Sequence, residues 1–120
     1  MPQTVAWLAK PENHDYQAAE DYLSLIMLPK QAEMYRQKLS DARGDITHRK
    51  AKDILRASHL DLLPTDNKHV AADLKKVHEG QKMSPVLLVR GVPLLVADGY
   101  HRVCASYWLD ENTDIPCRLA

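Results

Sequence analysis

Five consecutive residues, Asp98-Gly99-Tyr100-His101-Arg102, concentrate the most reactive side chains of this sequence. They separate an apolar run of strand length, Pro93-Leu94-Leu95-Val96-Ala97, from a segment ending in Tyr107-Trp108-Leu109 that is apolar almost all round. A helix beginning after Gly99 leaves its first N–H groups without intrahelical partners, at the positive end of the helix dipole. Such a terminus suits a phosphate or a carboxylate. Gly99 has no Cβ and lets the backbone approach a ligand. Arg102 can give a bidentate pair of hydrogen bonds to phosphate oxygens, and His101 adds a donor. Cationic side chains in a first turn oppose the dipole by a few tenths of a kcal/mol, up to ~1, and a bound anion offsets that cost. Asp98 is a candidate magnesium ligand or base, or simply the Asp of a tight turn before Gly. The competing reading pairs Arg102 with a carboxylate such as Asp98 and leaves His101 to close a strand end.

The elements around this turn follow from periodicity. Tyr16, Ala19, Leu23 and Ile26 share one face of a helix starting near Asp15. Pro29 breaks it and opens a second helix with Ala32, Tyr35, Leu39 and Ala42 on one face and Gly44 as a stop. Residues 1–45 thus read as a helical hairpin packed on the domain formed by residues 46–120. Its stripes either cover that domain or dock a protein partner or a second copy. After residue 45, Ile46 to Arg49 reads as a short edge strand. The apolar stretch Ile54-Leu55 to Leu63 ends at Pro64. Asp66 or Asn67 caps a helix carrying Val70, Leu74 and Val77, closed by Gly80. Residues 85–90 and 93–98 read as a buried hairpin around Gly91. An interior helix over 101–109, with Trp108 largely buried, and a last strand over 115–119 complete the order: strand, helix, hairpin, buried helix, strand. The expected class is α/β (α+β), a small mixed sheet with packed helices.

That order, with Asp98-Gly99-Tyr100-His101-Arg102 before the buried helix and Ile115-Pro116-Cys117-Arg118-Leu119 as the closing strand, resembles the ParB/sulfiredoxin superfamily. Sulfiredoxins place Gly-Gly-Cys-His-Arg at the end of a strand, then a helix, then an Ile-Pro strand. Ile54-Leu55-Arg56 looks like the Ile-Arg pair on which that family carries a phosphate-contacting arginine. The resemblance covers about 75 residues, all after the helical hairpin. It implies a site for a nucleoside triphosphate or diphosphate with magnesium, built from Arg56, His69, Asp98, Gly99, Tyr100, His101 and Arg102. In that alignment His69 falls on the family's lysine, and Ala72 and Lys76 fall on phosphate-touching hydroxyl residues. Tyr100 replaces the sulfiredoxin cysteine, so the thiolate chemistry of sulfinic-acid repair has no nucleophile here.

The function expected from the residues and the resemblance is a stand-alone protein that binds a nucleotide or phosphorylated small molecule. Phosphoryl transfer or nucleotide hydrolysis is the natural reaction class, because such sites work by positioning and charge stabilisation. The alternative is a non-enzymatic regulatory or DNA-partition-associated module, which the missing cysteine favours. Cys104 and Cys117 lie in apolar surroundings that raise a thiol pKa, and they rank last as chemistry. They are too few for a disulfide framework and lack the partners of a zinc site.

Charge narrows the partners. Sixteen Lys and Arg balance sixteen Asp and Glu. Residues 1–45 carry five basic against seven acidic side chains, and residues 46–120 the remaining eleven against nine. Extensive DNA binding is disfavoured, because phosphate neutralisation and counterion release supply most of such affinity. No run approaches the roughly 18 apolar residues of a membrane span. The opening residues lack a basic leader with an apolar run, so the expectation is a cytoplasmic protein.

Overall fold

The computed structural model describes residues 4–41 and 46–120. Among them are five helices and a four-stranded mixed sheet: α1 (Asn13–Leu23), α2 (Pro29–Ser40), β1 (Thr47–Lys50), α3 (Ala51–Ser58), α4 (Lys68–His78), β2 (Val86–Val89), β3 (Leu95–Asp98), α5 (Tyr100–Leu109) and β4 (Asp114–Leu119). The strand order is β1-β4-β2-β3. β1 pairs antiparallel with β4, β4 parallel with β2, and β2 antiparallel with β3. The α/β class read from the sequence is the class of the structure.

Both faces of the sheet are covered, which explains why β2 is apolar at every position rather than alternately. Val86 and Leu88 point with Val96, Ile115 and Cys117 into a core closed by Ile54 and Leu55 of α3, Val70 of α4 and Val103 to Ala105 of α5. Leu87, Val89 and Ala97 point the other way, against Ala19 and Leu23 of α1 and Ala32 and Leu39 of α2. Leu23 and Leu39 are buried there, and each contributes about 1.5–3 kcal/mol of transfer free energy. The helical stripes are used as the spacing predicts, up to a limit. Ile26 falls beyond the end of α1 and is exposed. Ala42 and Gly44 lie outside the described residues.

Two expectations need correction. The stretch from Ile54 belongs to a helix, α3, that enters directly from β1; its eight residues bury Ala51, Ile54, Leu55 and Ser58. The observed order therefore has two helices between β1 and β2. These positions follow helical spacing, but with Ser58 polar only three of them are apolar, too few to declare a period. Trp108 is 46% exposed, because α5 buries only Val103 to Ser106 and turns its last residues outward. The indole lies at the surface with Nε1 donating to the Leu63 carbonyl at 2.8 Å. The burial expected of Trp108 is not observed, and that support for the family resemblance is withdrawn.

The caps were more legible. Asn67 accepts at Oδ1 from the N–H groups of His69 (3.0 Å) and Val70 (3.2 Å), which fixes the start of α4. Cys104 and Cys117 are both buried and free, and burial pushes both thiols up.

Candidate functional site

Between α4 and the start of α5 lies a polar cleft of about 250 Å³, lined by His69, Ala72, Asp73, Lys76, Asp98, Gly99, His101 and Arg102. β3 ends at Asp98, Gly99 turns the chain with φ of 110°, and α5 begins at once. The first intrahelical bond runs from the Val103 N–H to the Gly99 carbonyl at 3.0 Å. No side chain caps this terminus, so the N–H groups of Tyr100, His101 and Arg102 stand at an open helix end. On the facing helix, His69, Asp73 and Lys76 share one side because they are spaced by four and three. The rings of His69 and His101 are 4.7 Å apart.

The electrostatics are largely internal. Arg102 Nη2 donates to Asp98 Oδ2 at 2.9 Å and to the Pro85 carbonyl at 3.3 Å. Both side chains are only 17% exposed, so this is a partly buried ion pair across one helical turn. The Arg102 Nε is buried and has no hydrogen-bond partner. Burial raises the Asp98 pKa; Arg102 opposes the rise and Asp15, a buried carboxylate of α1, adds to it. Asp73 is also raised by burial, against the pull of Lys76, Arg102 and the two histidines. Lys76 Nζ stands 3.8 Å from Asp73 Oδ1. Burial and the neighbouring His69 lower the His101 pKa, against the pull of Asp73.

Of the seven residues expected to build a ligand site, five meet at this cleft: His69, Asp98, Gly99, His101 and Arg102. Arg56 does not. It sits on the outer side of α3 with its side chain 85% exposed, 3.5 Å from Asp53. The helical phase of α3 turns Ile54 and Leu55 inward and so sends Arg56 to solvent. Tyr100 also faces away from the cleft, its hydroxyl donating to the Asp61 carbonyl. Gly99 has a different reason for lacking a side chain than ligand approach. A Cβ there would meet Val86 Cγ1 at 2.5 Å and Arg102 Nη2 at 3.0 Å, so the bare backbone makes room for β2 and for the guanidinium.

The sequence reading did not single out Asp73, which lines the cleft, or Asp15, which neighbours Asp98. Asp73 could have been found from its i+4 relation to His69. Asp15 could not, because only the packing of α1 brings it to Asp98. No group of three or more metal-ligating side chains occurs among the described residues, nor is any helix long and apolar enough to cross a membrane. No family model, curated protein or solved structure matches this chain.

Proposed function

We propose that this chain is a ParB/sulfiredoxin-like protein that holds the phosphate of a nucleotide or phosphorylated small molecule in the α4–α5 cleft. The observation that carries this reading is the open first turn of α5, flanked by Lys76 and His69 from α4 and by His101. Three N–H donors, an ammonium and two imidazoles around one concavity are donors in search of an anion. Asp98 is engaged by Arg102, and a cation beside it disfavours a metal ion there. Magnesium would enter on the nucleotide's own phosphates, as it commonly does. Phosphoryl transfer or hydrolysis remains the natural chemistry of such a cradle, with His101 the group best placed to move a proton.

A specific observation favours a second, non-enzymatic reading, as a regulatory module. Both cations of the cleft already face carboxylates, Arg102 with Asp98 and Lys76 with Asp73. A cleft neutralised from within can serve the fold alone.

Thermal unfolding with ATP, ADP, CTP, GTP or inorganic phosphate, each with and without magnesium, separates the two. A ligand at 100 times its Kd adds roughly 2.7 kcal/mol of stability. The first reading expects a nucleotide or phosphate to raise Tm in the parent protein and not in Lys76→Ala or His69→Ala. Indifference to every ligand would leave the regulatory reading. Phosphate release then reports whether a bound nucleotide is turned over.

A further inference from the structure

A second depression lies between α3 and the ends of β2 and β4. We propose that it binds a small organic anion with an apolar body, of the arylalkanoate class. Its volume is about 220 Å³, and it is lined by Arg49, Asp53, Ile54, Ala57, Leu88, Arg90, Leu94 and Leu119. The phosphate reading of the α4–α5 cleft plays no part in this proposal, since the two depressions share no residue.

The topology explains why a slot forms here. β2 and β4 run parallel and end side by side, with Leu88 paired to Leu119. The crevice outside the carboxyl ends of parallel strands is where α/β sheets commonly take ligands. α3 crosses above, and the Leu94 N–H donates to the Ala57 carbonyl at 2.9 Å, tying the hairpin loop to the helix. Ile54 and Leu88 form a buried floor, with Leu94 and Leu119 as half-buried walls.

Arg49 reaches this slot from β1, and Arg90 from the position just after β2. Arg49 stands opposite Ile115 in the β1–β4 pair, and Ile115 points into the core beneath α3. Directly opposed residues share a face, so Arg49 projects to the α3 side. Arg90 follows Leu88 by two positions and lies on that side as well. Both are exposed, and neither side chain has a hydrogen bond or ion pair with another described residue. Among the described residues that line the slot, the one acidic side chain is Asp53, which faces Arg56 on its own helix; the Arg90 N–H donates to Ala120 at 2.8 Å beside it.

Apolar walls with two unmatched guanidinium groups at the mouth define the ligand's chemistry. A cavity of about 150 Å³ already holds a benzene ring. The slot therefore takes an aromatic ring with a short arm, and planar forks such as Arg49 and Arg90 match the carboxylate at the end of that arm. A free inorganic anion would leave the apolar walls wet, and a neutral aromatic would leave the arginines without a partner.

The experiment is an amide-resolved NMR titration of the full chain with 3-phenylpropionate, with 3-phenylpropionamide and acetate as controls. Saturable shifts are expected around Ile54, Leu88 and Leu94, with a Kd of about 0.1–1 mM for a ligand of this size. The amide, and the variants Arg90→Gln and Arg49→Gln, should each bind about five- to tenfold more weakly. Ala57→Phe, at an exposed helix position, should fill the slot and abolish binding while the parent spectrum is otherwise kept. The proposal is overturned by the absence of saturable shifts or by shifts centred elsewhere. It is equally overturned if the amide binds as tightly as the acid, or if Ala57→Phe binds unchanged.

Discussion

The cleft between α4 and α5 and the slot beneath α3 both gather cations, but they balance them differently. In the cleft, Arg102 donates to Asp98 at 2.9 Å and Lys76 lies 3.8 Å from Asp73. In the slot, neither Arg49 nor Arg90 forms an ion pair with a described side chain, and Asp53 on the wall is engaged by Arg56. The Asp98-to-Arg102 turn looks the more reactive in sequence, yet its cations are the more committed to the fold. An anion entering the cleft must use backbone donors and histidines or loosen an ion pair. One entering the slot meets guanidinium groups that have no ion pair among the described residues. Substitutions in the cleft should therefore disturb stability, and substitutions at the slot should disturb binding alone.

The strongest test of that contrast is Gly99→Ala. The added Cβ collides with Val86 and crowds the Arg102 guanidinium, at a φ of 110° that side chains rarely adopt. A loss of about 2–4 kcal/mol in urea unfolding is expected from overpacking and strain together. A near-neutral result would return Gly99 to the role of ligand approach. Arg102→Ala comes next. It leaves Asp98 partly buried without its cation, and a loss of about 2–3 kcal/mol is expected, below the full cost for a wholly buried pair. If that variant melts with the parent protein but no longer binds nucleotide or phosphate, the cleft is not self-neutralised and the contrast fails.

A smaller effect should appear in the pH dependence of stability. Burial raises Asp73 above the ordinary carboxylate value of 3.8 in the folded chain. The folded state then holds that proton more tightly, and stability falls as pH rises from 3.8 through the folded value. Asp73→Asn should remove this decline and stabilise the protein at neutral pH. His101 acts with the opposite sign. Its folded pKa lies below 6.5, so its contribution is complete above 6.5 and is lost as pH falls through the folded value. His101→Asn should flatten that acid-side loss. Unfolding curves collected across the acid-to-neutral range check both slopes, and identical profiles for parent and variants would contradict them.

The smallest expected effect sharpens the contrast by its absence. Arg56→Ala removes an exposed pair with Asp53 and should change stability by no more than about 0.5 kcal/mol. Binding of phosphate or nucleotide in the cleft should be unaltered. A loss of cleft binding would mean that α3 moves toward α4 on ligand entry.

Periodicity made most of the architecture legible. The stripes of α1 and α2, the Asn67 cap and the β2–β3 hairpin each rest on local geometry that a few residues specify. α3 was missed because eight residues with adjacent Ile54 and Leu55 fit a buried strand as well as a helix. Trp108 was misjudged because a nearly all-apolar segment can still end at the surface when its indole finds a carbonyl, here that of Leu63.

The sequence by itself determined that a glycine turn followed by a helix would place His101 and Arg102 at a helix N-terminus, since both facts depend on neighbouring residues. It also determined that His69 and Lys76 would share a helix face. What it could not determine is which charges meet. Asp15 is 83 positions from Asp98 in the chain, and only the packing of α1 against β3 brings the two carboxylates together. Arg56 and Arg49 differ in the same way: the phase of α3 turns one outward, and the register of β1 on β4 turns the other toward the slot. Pairing energies fall steeply with distance and with water between the partners, so the roles of these side chains were decided by tertiary contacts a few ångströms across.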